Sequence, residues 1–296
     1  MIWSYSSSKG SVCSSAGKST PCGAALGFAG TSRISRPRSG WWGIHYQPKA
    51  AIFILAACIL LGSAFAALAD PTNGWSDAEI QGRALAQRIL AQRPSENLTN
   101  SGFLQVRDAD GRRTAIPIQT KTTLTQAGWN GVYEVTTNAN RPNGFVEIAH
   151  GNGPNVYWTA SVPGGAKTEY PEGAVPSSAE SFAGSDFWVC DLGLEFFHWP
   201  QQKIIKKEFH RNCACMVLES TNPHPAAAGY SRVVAWIDED SLGIVEAYAY
   251  DENGRELKNF YPKVLEKVNG QYQVQSMVLE NRQTGSKSVF EFDLPK

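Results

Sequence analysis

The chain is 296 residues long, and its 27 Lys and Arg balance its 27 Asp and Glu. That neutrality hides two unlike parts: residues 1–69 hold six cations and no acid, which leaves 21 cations against 27 acids in residues 70–296. A moderately acidic chain of this kind excludes a nucleic-acid partner, which needs a basic face, and its length suits one domain with a real core.

Residues 1–49 are rich in Ser and Gly and poor in aliphatics, so they bury too little surface to fold alone and read as a disordered leader or an artefact of an upstream start. The SSAGKST stretch at residues 14–20 looks like the end of a phosphate-binding loop, but Val12 stands where the first glycine must turn the chain. Residues 50–69 carry no charge and read as a signal peptide, or as an uncleaved signal-anchor helix. Ala67-Leu68-Ala69 offers the small-x-small site at which cleavage would release a mature chain from Asp70. Arg33, Arg36, Arg38 and Lys49 precede the run and the next cation is Arg83, so the N-terminus stays cytoplasmic and residues 70–296 are exported. Leu55-Ala56-Ala57-Cys58 has the form of a lipobox, but an apolar run rather than a polar tether follows it. The expected location is periplasmic, with anchoring in the inner membrane by residues 50–69 as the other fate.

Ser76 with Glu79 forms a capping box, and Ile80, Ala84, Leu85 and Ile89 then keep helical spacing until Pro94, which predicts one amphipathic helix over residues 76–93. The period then changes to two. Residues 102–107, 114–125, 129–137, 145–150 and 156–161 read as strands, separated by the turn signals DADG, AGWN, NRPNG and GNGPN. Residues 163–176 are Gly- and Pro-rich and read as a loop, and residues 182–199 form an aromatic stretch that reads as a short helical segment packed on a sheet. Further strands are expected at 203–210, 213–219, 230–238, 243–250, 256–265, 272–281 and 286–293, with DENG, VNG and QTG favouring hairpins. The fold class is therefore mainly β with few helices: an open, curved antiparallel sheet, or incomplete β-barrel, with helices across its concave face.

The stretches FAGSDFWVCDLGLEFFHWPQQKIIKKEF from Phe182, CMVLESTNP from Cys215, YSRVVAWID from Tyr230, AYDENGRELKNF from Ala249 and VNGQYQVQSMVLENRQTGSKSVFEFD from Val268 resemble bacterial outer-membrane lipoprotein-sorting domains of the LolA/LolB superfamily. The resemblance covers most of residues 180–293, and residues 70–296 are assigned to such a domain. It implies an incomplete antiparallel barrel with helices across its mouth and an apolar pocket for acyl chains. It also implies an acylated lipoprotein or lipid as ligand, a membrane or envelope protein as further partner, no cofactor and no catalysis. A membrane-tethered envelope sensor or interaction domain on the same fold is the alternative.

Alternation nominates the cavity lining. Leu104 and Val106 share one strand face, Val245, Ala247 and Ala249 another, and Phe290 and Phe292 a third. The same residues read equally well as ordinary core. The moving lid would be residues 163–176 or 182–199, the latter with Phe187, Trp188, Phe196 and Phe197. Outside the cytoplasm cysteines commonly pair; Cys213 and Cys215 share a strand face and are poorly placed to bond each other, so a bridge would tie Cys190 to one of them. Cys215 is preferred because it opens a stretch that carries the resemblance. HxxCxC with outlying histidines is not a standard zinc spacing, and no metal is assigned. No GxSxG, HExxH or SxxK stands in residues 70–296 on a suitable turn or helix. Asp186, Asp191 and Glu195 read as solvent-facing or capping groups, and Lys203, Lys206 and Lys207 as a blunted strand edge.

Overall fold

A computed structural model describes residues 4–5, 74–137, 140–170, 180–268 and 271–294. The export signal, its cleavage site and the lipobox lie outside them. Among the described residues no helix is long and apolar enough to cross a membrane.

Helix α1 spans Asp77–Leu90 and opens on the expected capping box, the Ser76 N–H donating to Glu79 Oε2 at 2.8 Å. Its buried face is Gly82, Leu85, Ala86 and Ile89, whereas Ile80 is 39% exposed and Ala84 lies in solvent. The apolar spacing thus placed the stripe about one residue out of phase. The reason is Gly82: a Cβ there would lie 2.5 Å from Lys203 N and 2.6 Å from the Gln202 carbonyl oxygen, so the helix seats its bare backbone against a strand.

The strands are β1 (Ser4–Tyr5), β2 (Leu98–Arg107), β3 (Arg113–Leu124), β4 (Trp129–Val135), β5 (Phe145–His150), β6 (Val156–Ala160) and β7 (Thr168–Glu169), followed by β8 (Gln201–His210), β9 (Cys213–Thr221), β10 (Arg232–Asp238), β11 (Ile244–Tyr250), β12 (Glu256–Val268), β13 (Gln271–Asn281) and β14 (Lys287–Phe292). Thirteen form one antiparallel path, β7-β6-β5-β4-β3-β2-β14-β13-β12-β11-β10-β9-β8, and β1 pairs off it with β13. Two meanders therefore run outward from a central β14–β2 seam, in register at Phe290↔Leu104. The path ends at β7 and β8 and does not close into a barrel. The expected loop at 163–176 contains β7, which pairs Trp158↔Glu169.

Flat, thirteen strands would span about 58 Å at a spacing of about 4.8 Å. Tyr133, Val146 and Tyr157 of one meander nevertheless share a single buried cluster with Leu218, Val233 and Ala247 of the other, so the sheet curls around one core. Helix α1 lies against β8, and residues 182–199, with α2 (Val189–Leu192) and a one-turn 3-10 helix (Glu195–Phe197), fill the concave side.

Candidate functional site

The concave face is apolar because alternation sends Leu104, Ile116, Ile118, Tyr133, Ala247, Ala249 and Phe290 to one side, all buried. Residues 182–199 press their rings onto it. Phe187 lies 4.4 Å from Phe290 between ring centroids, Phe182 lies 6.0 Å from Phe290, Phe196 is 5.8 Å from Phe260, and Trp188 stacks on Tyr230 at 4.6 Å. Phe187, Trp188, Phe196 and Phe197, nominated as a lid, are all buried. They act as a plug rather than a cover, since their side chains occupy the groove.

Three acids pin the plug to the sheet. Asp186 accepts from Ser286 Oγ at 2.5 Å and Ser288 Oγ at 2.7 Å, at the end of the strand that carries Phe290. Asp191 accepts from Lys258 Nζ at 3.2 Å, Tyr230 Oη at 2.8 Å and the Trp188 N–H at 2.8 Å. Glu195 accepts from Tyr157 Oη at 2.6 Å and Asn155 Nδ2 at 3.2 Å, and Asn155 also donates to the Gly193 carbonyl at 2.9 Å. The solvent-facing reading of these acids is corrected: Asp191 and Glu195 are buried and Asp186 partly so. A carboxylate among aromatic residues reads as surface because acids rarely enter a core, yet each here meets hydroxyl or amide donors placed by distant strands.

Burial shapes this chemistry. Lys258 is fully buried, and burial pulls its ammonium down to about 8 against the raising effect of Asp191. Burial, aided by the neighbouring carboxylates, pushes the Tyr157 and Tyr230 hydroxyls well up, so both stay donors. The Cys190 thiol is pushed up chiefly by burial and is not an activated nucleophile.

The other nominated residues divide by face. Val106 and Phe292 are partly buried and pack on the concave core. Val245 does not share the face of Ala247 and Ala249. It joins Cys213, Cys215 and Trp236 in a separate cluster, because the register shifts between Trp236 and Ile237 and resets the alternation. The Cys190–Cys215 bridge is likewise corrected: both thiols are free, Cys190 in the concave core and Cys215 in the cluster behind the sheet. Lys206 and Lys207 pair with Glu208 and Glu239 on edge strand β8.

Two features escaped the sequence reading. Behind the sheet, buried Glu246 meets His210 Nε2 at 2.6 Å, Arg211 at 2.7 Å and Asn259 at 3.1 Å. At one rim, a cleft of about 510 Å³ lies between the C-terminal end of α1, Arg93, Trp129, the turn after β5 and His198. Trp129 stacks on His150 at 3.8 Å, and burial holds that imidazole down to about 3, so it is neutral. The turn glycines of AGWN and GNGPN were legible, but their meeting with the end of α1 was not.

A family model described only as an uncharacterized protein matches residues 174–296. No curated protein matches the chain. Among solved structures, a DUF1329 family protein from Desulfovibrio piger is similar at 19% identity and TM-score 0.59, over 74% of this chain and 92% of that one. A protein described as an outer membrane lipoprotein-sorting protein domain, from Vibrio parahaemolyticus, is similar at 17% identity and TM-score 0.60, over 73% and 92%. A LolA superfamily protein from Nitrosomonas europaea is similar at 16% identity and TM-score 0.51, over 74% and 96%. The chain therefore has the open-sheet fold of DUF1329 and LolA superfamily proteins.

Proposed function

We propose that this chain is an exported envelope carrier that holds the acyl chains of a lipid or lipoprotein against its concave face, in the place that residues 182–199 fill in the free protein. The observation that carries this reading is that one short, contiguous segment, with a four-residue helix and a single 3-10 turn, supplies the rings that close an otherwise continuous apolar sheet. The fold shared with proteins described as lipoprotein-sorting supports it.

The energetics suit loading and unloading. An acyl chain of about sixteen carbons gains about 12 kcal/mol on burial at about 0.8 kcal/mol per methylene. Re-exposing four large apolar side chains costs about 6–12 kcal/mol at about 1.5–3 kcal/mol each. The exchange is near balance, as a carrier that must release its cargo requires. No catalytic residue or cofactor is needed, and lining roles fall to Leu104, Val106, Ala247, Ala249, Phe290 and Phe292. The carrier works in the periplasm, released after Ala69 or held by residues 50–69, with a membrane or envelope protein as loading partner.

The test is native mass spectrometry of the protein as an expression host exports it. Co-purified or added lipid held near one-to-one is the expected result. A mass free of lipid that also refuses added lipid contradicts the carrier reading.

A further inference from the structure

Lys258 and its surroundings narrow the cargo. The side chain stands on β12, opposite Ala249 and on the concave side, 0% exposed, with its ammonium 3.2 Å from Asp191 Oδ2 and 3.3 Å from the Trp188 ring centroid. Its ion-pair partner Asp191, the more distant Asp186 that also acts on it, and the covering Trp188 all belong to residues 182–199. The sheet side of the pocket keeps the ammonium and the Tyr230 hydroxyl, which donates to the other Asp191 oxygen at 2.8 Å. Resting on the carrier reading above, displacement of the segment therefore takes Asp191 and Asp186 away from Lys258 and leaves one cation and one O–H donor set for two oxygens. Removing one partner of a buried pair is strongly unfavourable, because the remaining charge keeps its desolvation penalty without its counterion.

We infer that the ligand of the concave face is an amphiphile with one terminal anionic group, a carboxylate or a phosphate monoester, which takes the position of the Asp191 carboxylate between Lys258 and Tyr230. Asp191 is then the resident stand-in for the ligand's head, as Phe187, Trp188, Phe196 and Phe197 are for its chain. A neutral amphiphile of equal length fills the groove but strands the ammonium.

The experiment titrates the full chain, expressed and exported by a bacterial host, with oleate, oleyl phosphate and oleyl alcohol, for wild type, Lys258→Met and Asp191→Asn. Wild type should bind at least one of the two anions tenfold or more tighter than the alcohol, and whichever anion leads identifies the head. Lys258→Met should bring the anions to the level of the alcohol. Asp191→Asn keeps the cation while loosening the segment, and should tighten the leading anion several-fold. Equal binding of all three ligands by wild type, or an anion preference that survives Lys258→Met, overturns the inference and leaves the carrier reading standing. Failure of wild type to bind any of the three overturns both. If Lys258→Met does not fold, Asp191→Asn decides alone: unchanged or weaker anion binding overturns the inference.

Discussion

Gly193→Ala perturbs the plug at its tightest point. Gly193 has φ −92°, which any residue adopts, so the cost of a side chain there is steric and not conformational. A Cβ would lie 2.0 Å from Tyr157 Oη and 2.8 Å from its Cζ. Tyr157 is 0% exposed and cannot swing into solvent. It must retreat and surrender its 2.6 Å hydrogen bond to Glu195, a buried carboxylate whose remaining side-chain donor is Asn155. Overpacking costs about 1–3 kcal/mol, and loss of a hydrogen bond to a charged group about 1.5–3 kcal/mol, so the variant should lose about 2.5–6 kcal/mol. Urea unfolding at constant m-value measures this. Tyr157→Phe alone should lose only the hydrogen-bond part. The double variant should lose less than the sum of the two, because the phenyl ring no longer carries the oxygen that clashes. A Gly193→Ala protein within about 0.5 kcal/mol of wild type, or strictly additive losses, would refute the packing argument.

Gly82→Ala should also destabilise, by about 1–3 kcal/mol, although alanine is favoured over glycine in a free helix by about 1 kcal/mol. The added methyl meets backbone atoms of Gln202 and Lys203, which cannot turn aside, so α1 must lift from β8; a raised urea midpoint would contradict this. His150 is held neutral in the folded chain, its value lowered from 6.5 to about 3 by burial. The unfolded chain therefore binds the extra proton between those values, and the stability His150 contributes is complete above pH 6.5 and lost as pH falls toward 3. Wild type should lose about 2 kcal/mol more than His150→Phe between pH 7 and pH 5, read from paired urea titrations; equal losses would show that His150 is not the group responsible.

The sheet was legible because alternation and turn chemistry are local. Residues 145–150 are a strand with the expected ends, and the capping box at Ser76 and Glu79 forms as the spacing predicted. What failed depends on residues far apart in the chain. The phase of α1 is set by Gly82 meeting β8, a contact about 120 residues away in sequence. The face of Val245 is reset by a bulge opposite Trp236, which hydrophobicity does not record. Asp186, Asp191 and Glu195 look like surface acids until β14, β12 and β6 supply Ser288, Lys258 and Tyr157. The resemblance points to Cys215 as the partner of Cys190, but Cys190 sits on α2 in the concave core and Cys215 on the other face of β9, so the two thiols end on opposite sides of the sheet.

The central claim is that residues 182–199 occupy the place of an acyl chain, and two free thiols among the described residues, Cys190 and Cys215, test it within one molecule. Cys190 belongs to the plug and faces the concave core, Cys215 lies behind the sheet, and both are buried. Thiol labelling followed by mass spectrometry, with and without saturating oleate, should show both protected in the free protein and, of the two, only Cys190 labelled rapidly when oleate is bound. Cys190 remaining as protected as Cys215 under saturating oleate would contradict the account.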